Sequence, residues 1–148
     1  MANRIHVAGE YRSVEYEAYA SGIYPGMLVA VNSSGEIAVH ATEGGRHEKL
    51  FVEEQALRGK TVDDVTTSGD KVVCILGLPG TEIYAMLEDG QNVSIGTELI
   101  SAGNGKLKAA SDLESGETLY QVVAISLEAE DLTGSNSSDT LIKVRLVA

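Results

Sequence analysis

The chain has 148 residues and a formal net charge of -11, from 11 lysines and arginines against 22 aspartates and glutamates. The basic residues are sparse, which argues against direct nucleic-acid binding, because phosphate recognition depends on clustered lysine and arginine. No stretch approaches the roughly 18 apolar residues of a membrane span, and the N-terminus lacks the apolar core of a signal peptide. We therefore expect a protein that is made and kept soluble in the cytoplasm.

In the first half of the chain, short apolar runs broken by turn residues predict β-strands. Residues 13–21 alternate apolar side chains with glutamates, as a half-buried strand does. Residues 25–41 contain two apolar runs around a turn at Asn32–Gly35, which indicates a hairpin. Only residues 48–60 look helical, because Val52, Ala56 and Leu57 form a short apolar stripe and Gly59 suits the position after a helix end.

In the second half, residues 71–77 read as a strand buried on both faces, with Cys74 as a small buried hydrophobe. Next, Ile83, Ala85 and Leu87 alternate inward before Asp89-Gly90, a hairpin dipeptide. Residues 94–111 contain two strand-like runs around a glycine-rich turn, with Lys106 just past its tip. Two further strands are predicted, and their inward residues are Leu119, Val123, Ile125 and Leu127 in the first and Ile142, Val144 and Leu146 in the second.

Together these elements predict an all-β fold, a small β-barrel or β-sandwich of hairpins with one short helix and an extended N-terminal arm. Residues 1–20 would be the arm or first strand, and residues 21–148 a single β-rich domain. Charge is uneven along the chain: residues 1–60 carry six basic against eight acidic side chains, and residues 61–148 carry five against fourteen. This polarity suits a protein with one docking end and one end facing solvent, although chance distribution explains it as well.

Catalytic motifs are missing from the sequence. The three histidines lack zinc-ligand spacing; a site from His40, Glu43 and His47 is conceivable, but surface histidines in a loop are the commoner case. Lys106 lacks the flanking residues of a lysine that carries a prosthetic group, so we interpret it as an exposed residue that begins a strand. A carboxylate pair that meets only in the fold stays open. Four of six tyrosines fall within the first 24 residues, which fits either sheet packing or an interface.

Residues 49–110 resemble the decoration, or cement, proteins of tailed-bacteriophage heads. The resemblance rests on phrases that recur in order in that group: L-x-G-K-T-x-D-D at Leu57 to Asp64, GD-x-V at Gly69 to Val72, G-x-E-x-Y-A at Gly80 to Ala85, and G-x-x-L-x-S-x-G-x-G-K-L at Gly96 to Leu107. The preceding hairpin, residues 24–39, is also similar. Together these segments cover about two thirds of the chain, while the first 20 residues and residues 131–139 match less clearly.

The resemblance implies a β-rich decoration domain that forms a homotrimer on the outer surface of the capsid, at or near three-fold positions of the virion. Its partner would be the major capsid protein, with no nucleic acid, membrane, cofactor or metal involved, and it would stabilise the shell without catalysis. Strand addition by residues 2–20 is the expected contact. The candidate capsid-binding residues are Arg4, Ile5, Val7, Tyr11, Arg12 and Tyr16.

Three other functions remain open from the sequence. The paired hairpins also fit a non-catalytic carrier or adaptor domain of the barrel-sandwich type, for which a group attached to Lys106 would be the decisive observation. A small hydrolase or sugar-binding module would need a deep pocket lined by carboxylates or histidines. A phage tail component cannot be distinguished from a head protein by sequence.

Overall fold

The structure is a computed structural model that describes residues 2–113 and 120–147. Strands dominate it, together with two one-turn 3-10 helices, Ala56–Arg58 and Ala110–Asp112. The strands, in chain order, are β1 (His6–Ala8), β2 (Tyr11–Glu17), β3 (Leu28–Val31), β4 (Ile37–Val39), β5 (Leu50–Val52), β6 (Lys71–Gly77), β7 (Glu82–Leu87), β8 (Asn92–Val93), β9 (Glu98–Ser101), β10 (Leu107–Ala109), β11 (Val122–Ser126), β12 (Glu130–Asp131) and β13 (Thr140–Leu146). The predicted all-β class is confirmed.

Five strands close into a small barrel in the order β7-β10-β9-β11-β13. Closure follows from β13, which pairs with β11 on one side and with β7 on the other. The period-two pattern drives this geometry, because the inward residues Ile83, Ala85 and Leu87 of β7 are fully buried while their neighbours are half-buried. The predicted inward residues of β13, Ile142, Val144 and Leu146, are likewise buried.

The second sheet has the order β2-β6-β5-β3-β4 and is antiparallel throughout. Its two faces contribute to two hydrophobic clusters: Ile75 and Phe51 belong to the cluster that fills the barrel, whereas Cys74 and Val52 belong to a smaller one. β6 is therefore buried on both faces, as its unbroken apolar run predicts. Burial raises the pKa of the Cys74 thiol to about 12, which keeps it protonated and unreactive.

Four details of the sequence interpretation are corrected by the structure. The helix predicted over residues 48–60 is strand β5 followed by the 3-10 turn Ala56–Arg58, and Leu57 is fully exposed rather than part of an apolar stripe. The spacing misleads because the apolar residues of a strand and the following turn fall at helical intervals. Gly59 does end the turn, in the left-handed conformation at φ 72°.

The Asp89-Gly90 turn forms, but it does not make a local hairpin, because β8 pairs with β12. A bulge between Val122 and Ala124 interrupts the alternation in β11, so that Val123 and Ala124 are both buried and Ile125 is half-buried. Leu119 lies outside the described residues. The hairpin predicted over residues 94–111 is confirmed as β9 and β10, which pair antiparallel through Leu107 and Ser101.

The first residues of the chain are built into both sheets rather than projecting as an arm. β1 pairs with β7, and β2 pairs with β6 along its whole length. Ile5 is fully buried in the larger hydrophobic cluster. Deleting this segment would therefore remove core and sheet contacts as well as any docking contact.

Gly26 combines a left-handed backbone conformation with close contact to neighbouring atoms. Its φ is +87°, and an added Cβ would meet the Leu141 side chain and lie 3.1 Å from the Tyr84 carbonyl oxygen. We expect Gly26→Ala to lower the free energy of unfolding by about 2–3 kcal/mol, since the strained backbone and the contact act together. Gly35→Ala is the matched control, because Gly35 has φ +79° but no atom within 4 Å of its added Cβ. Urea unfolding of both variants should show the larger loss at Gly26; equal losses would contradict this account.

Candidate functional site: the outer edge of β2

One side of the β2 backbone lies outside the pairing with β6. Ala18 follows the last residue of β2, and its N–H donates to the Asp70 carbonyl oxygen at 2.9 Å, which continues the pairing with β6. In an antiparallel pair, residues alternate between those bonded to the partner strand and those directed away from it. The even residues of β2 therefore bond to β6, and the backbone groups of the odd residues, 11, 13, 15 and 17, point away. Tyr19 continues the alternation, since its N–H donates away from β6 to the Ile37 carbonyl at 2.9 Å.

We call these outward backbone groups of Tyr11, Ser13, Glu15 and Glu17 the β2 edge. Among the described residues, none forms a backbone hydrogen bond to the β2 edge, and β4 approaches the strand only beyond it, at Ala18. An unpaired row of N–H and C=O groups is a ready template for a further strand.

A cleft of about 670 Å³ lies over the face of the second sheet next to the β2 edge, where Lys71 and Val73 of β6 and residues 53–56 after β5 also line it. Ser13 and Glu15 line it from β2, and Arg4, Leu57 and Arg58 line it from neighbouring segments. Leu57 is wholly exposed at the tip of its 3-10 turn, where its apolar side chain contributes nothing to the core. An exposed leucine, charged side chains of both signs and a nearby open strand edge are typical of protein-binding surfaces.

Glu54 binds the N-terminal segment next to this surface, and Glu53 lies beside it in the sequence. The Glu54 Oε2 atom accepts the Ile5 N–H at 2.8 Å. Burial raises the pKa of Glu53, and the charge of Glu54 raises it further, while His6 and Arg4 act in the opposite direction. The pKa of Tyr11 is also raised, first by burial and then by the charge of Glu53. Tyr11 therefore stays a neutral phenol and serves packing.

The six residues predicted to bind the capsid have different environments. Arg4, Val7 and Arg12 are exposed, and Arg4 lines the cleft beside the β2 edge. Tyr11 packs against the larger hydrophobic cluster and contacts the His6 ring at 4.3 Å between centroids, whereas Tyr16 packs against the smaller cluster. Ile5 is fully buried and is corrected from a surface contact to a core residue. The sequence interpretation missed Leu57 and Arg58, because their exposure depends on the turn that replaces the predicted helix.

His40 and Ser101 form a buried polar pair, which the sequence did not predict. The Ser101 hydroxyl lies 2.6 Å from the His40 Nδ1 atom, and the His40 Nε2 atom lies 2.7 Å from the Arg46 carbonyl oxygen. Since a carbonyl only accepts, Nε2 carries the proton and Nδ1 accepts from the serine. Ser101 also accepts the Gly103 N–H at 3.2 Å. Each polar atom is satisfied, both residues are buried, and neither lines either of the two clefts formed by the described residues, so the pair ties β9 to the loop after β4.

His47 lies beside this pair and is also buried, so the expectation of surface histidines is wrong for His40 and His47. The His47 Nδ1 atom accepts the Lys49 N–H at 3.3 Å, which leaves the proton on Nε2. That Nε2 atom has no hydrogen-bond partner among the residues described. Burial is the largest cause that lowers the pKa of His47 to about 4; the charge of Lys49 and electrostatic repulsion from the His40 ring lower the pKa further, while the Val122 backbone acts in the opposite direction.

Lys106 is held in an ion pair rather than presented to solvent. Its Nζ atom lies 2.7 Å from Asp139 Oδ2, and only 23% of the lysine side chain is exposed. The interpretation of Lys106 as a solvent-facing residue is therefore wrong, although the strand it precedes does begin at Leu107. Within residues 2–113 and 120–147, no cluster of three or more histidine, cysteine, aspartate or glutamate side chains is arranged to hold a metal ion.

No helix among the described residues is long and apolar enough to span a membrane. Comparison with known proteins found no matching family model and no similar curated protein. The β2 edge and its cleft are thus the surface on which a functional proposal can be built.

Proposed function

We propose that this protein is a structural decoration protein, which binds the outer surface of a tailed-phage head and stabilises the shell against the pressure of packaged DNA. It would bind the major capsid protein as a homotrimer at or near three-fold sites, after synthesis in the host cytoplasm. No catalytic step and no cofactor belong to this function. The ordered phrases of residues 49–110 support the proposal from the sequence, and the β2 edge supports it from the structure.

The β2 edge is the observation that carries the proposal. A strand of the capsid protein placed along it would extend the second sheet by one strand, so that main-chain hydrogen bonds supply affinity. Leu57 and the arginines Arg4 and Arg58 would supply side-chain contacts in the cleft next to it. The docking element stays the N-terminal segment inferred from the sequence, but as a fixed strand that receives a partner rather than a free arm.

Stabilisation of the shell then follows from mass action. A ligand that binds the assembled shell and not its loosened form stabilises it by about 2.7 kcal/mol when present at a hundredfold excess over Kd. A trimer would engage neighbouring shell subunits at high effective concentration, which multiplies this effect. The net charge of -11 would keep the free protein soluble at the concentrations required.

Proline substitutions on the β2 edge test the docking mode without removing the strand. Ser13→Pro and Glu15→Pro each delete an N–H that points away from β6, so the bonds between β2 and β6 remain. We expect the double variant to bind DNA-free expanded heads of the source phage at least about tenfold more weakly in co-sedimentation, while its free energy of unfolding falls by no more than about 1 kcal/mol.

The matched control is Ser13→Ala with Glu15→Ala, which keeps both N–H groups and should bind as the unmodified protein does. Arg12→Pro, which deletes a donor to β6, should instead destabilise the fold. Normal binding by the Ser13→Pro and Glu15→Pro double variant would exclude the β2 edge as the contact. Failure of the unmodified protein to bind heads, or heads equally resistant to heat and osmotic shock without it, would exclude the decoration role itself.

A further inference from the structure

A second cleft, of about 1000 Å³ and half-open, shares no lining residue with β2 or with the cleft beside it. Its floor is apolar and consists of Tyr24, Met27, Tyr84, Met86 and Leu141. We call this floor and its rim the tyrosine–methionine groove. Carboxylates dominate the rim, at Asp63, Glu128, Glu130 and Asp139.

The floor is held by regular strands and is therefore preorganised. The side chains of Tyr84 and Met86 point outward from β7, and Leu141 of β13 lies opposite Met86 in the strand pair. The Met86 N–H donates to the Gly26 carbonyl at 3.0 Å, which fixes the turn that carries Tyr24 and Met27 against β7. Tyr24 is 38% exposed, so this floor still presents aromatic surface to a partner.

Negative charge exceeds positive charge around the groove. Lys106 is the one basic residue among the described residues that line the groove, and it is paired with Asp139. In the described part of the chain, no lysine or arginine forms an ion pair with Asp63, Glu128 or Glu130. Lys143 lies on the same face of β13 as Leu141, and even if its charge is counted, four carboxylates face two ammonium groups.

We propose that the tyrosine–methionine groove binds an extended segment of another polypeptide in which apolar side chains alternate with or flank lysine or arginine. Methionine adapts to differently shaped apolar side chains, and tyrosine offers a large contact area with little loss of conformational entropy. The acidic rim selects a basic partner and repels an acidic one. A second copy of this chain fits this groove poorly, since it would have to place a basic segment against the acidic rim and the chain has only 11 lysines and arginines against 22 aspartates and glutamates. The groove and the β2 edge share no residue, so this proposal does not depend on the decoration role.

The first experiment defines the partner chemistry. The full chain, immobilised, selects binders from a randomised library of short peptides, and the selected peptides are sequenced. We expect enrichment of lysine or arginine next to leucine, methionine or aromatic residues. Selection of acidic or purely polar peptides, or no selection at all, would overturn the proposal.

The second experiment locates the bound peptide. Titration of the best selected peptide into isotopically labelled protein should shift the amide resonances of β7, β13 and the Tyr24–Met27 turn, and leave those of β2 unchanged. Shifts centred on β2 would overturn the assignment to the groove. Shifts of the groove amides that appear on raising the protein concentration without peptide would show a second copy as the occupant, and would also overturn it.

Charge reversal supplies the matched variants. Asp63→Lys with Glu130→Lys changes the rim, whereas Glu48→Lys with Asp112→Lys makes the same change in net charge at exposed positions outside both clefts. We expect the rim variant to weaken binding of the selected peptide by about tenfold and the control variant by less than about twofold. Met86→Ser tests the floor, and it should also weaken binding while a folded spectrum is retained. Equal weakening of peptide binding by the rim and control variants would show that only the net charge of the protein matters, and this would contradict the proposal.

Discussion

Lys108→Met is expected to lower the free energy of unfolding by about 3 kcal/mol, because it removes the positively charged member of a buried ion pair. Lys108 forms an ion pair with Glu43, and only 5% of the lysine side chain and 20% of the glutamate side chain are exposed. Lys108 lies on β10 and Glu43 on the loop after β4, so the pair joins the barrel to the second sheet. Urea denaturation at neutral pH measures the loss.

Lys71→Met is the matched control for this prediction. Lys71 and Glu17 also form an ion pair, at 3.3 Å, but 56% and 45% of their side chains are exposed. Water screens such a pair, and its loss should cost less than about 1 kcal/mol. Combining Lys108→Met with Glu43→Gln removes both charges and should recover part of the stability. A Lys108→Met loss no larger than that of Lys71→Met would show that burial does not strengthen the pair.

Acidification is expected to lower the free energy of unfolding by up to about 3 kcal/mol through protonation of His47 in the unfolded chain. The folded-state pKa of His47 is about 4, against an ordinary value of 6.5. Above pH 6.5 both states are neutral, and the folded state has its full stability. Between pH 6.5 and 4 the unfolded chain binds a proton that the folded chain does not, so stability falls as the pH falls, by at most about 1.4 kcal/mol per pH unit.

Denaturation of the unmodified protein and of His47→Gln between pH 7 and pH 5 tests this effect. Carboxylates titrate in both proteins, so the difference between the two curves isolates His47. We expect the unmodified protein to lose stability more steeply, and the gap between the curves to change in that window. Parallel curves would show that the folded state accommodates the charged ring.

The sequence predicts those parts of the fold whose signal is local. Ile83, Ala85 and Leu87 alternate with half-buried residues along one strand, and the glycine-rich turn before Lys106 lies between two paired strands, so short windows contain the needed information. The pairing of β8 with β12 could not be predicted in this way, because β12 lies almost forty residues further along the chain and no local pattern specifies it. The helical interpretation of residues 48–60 failed because spacing alone cannot separate a short strand plus a turn from a helix.

The same distinction between local sequence patterns and long-range contacts applies to the candidate site. Residues 2–20 could be selected from their tyrosines and arginines, but the burial of Ile5 and the exposure of Leu57 depend on contacts with distant strands. The β2 edge exists only because β2 is a terminal strand of its sheet, which is a property of the whole strand order. The pairing of His40 with Ser101 joins residues 61 positions apart, and the burial of Lys108 depends on Glu43, 65 positions away.

The closure of the barrel by β13 has a consequence for how the protein reaches its native state. β7 and β11 can both pair with β13 only after β13 has been synthesised. The barrel therefore stays open on the ribosome until residues 140–146 have left the exit tunnel. Before β13 emerges, folding on the ribosome can complete at most the second sheet, so closure of the barrel is a late step. Folds that depend on such distant pairings acquire their structure on the millisecond-to-second timescale. Ribosome-stalled chains that end before β13 should accordingly remain sensitive to protease within β7.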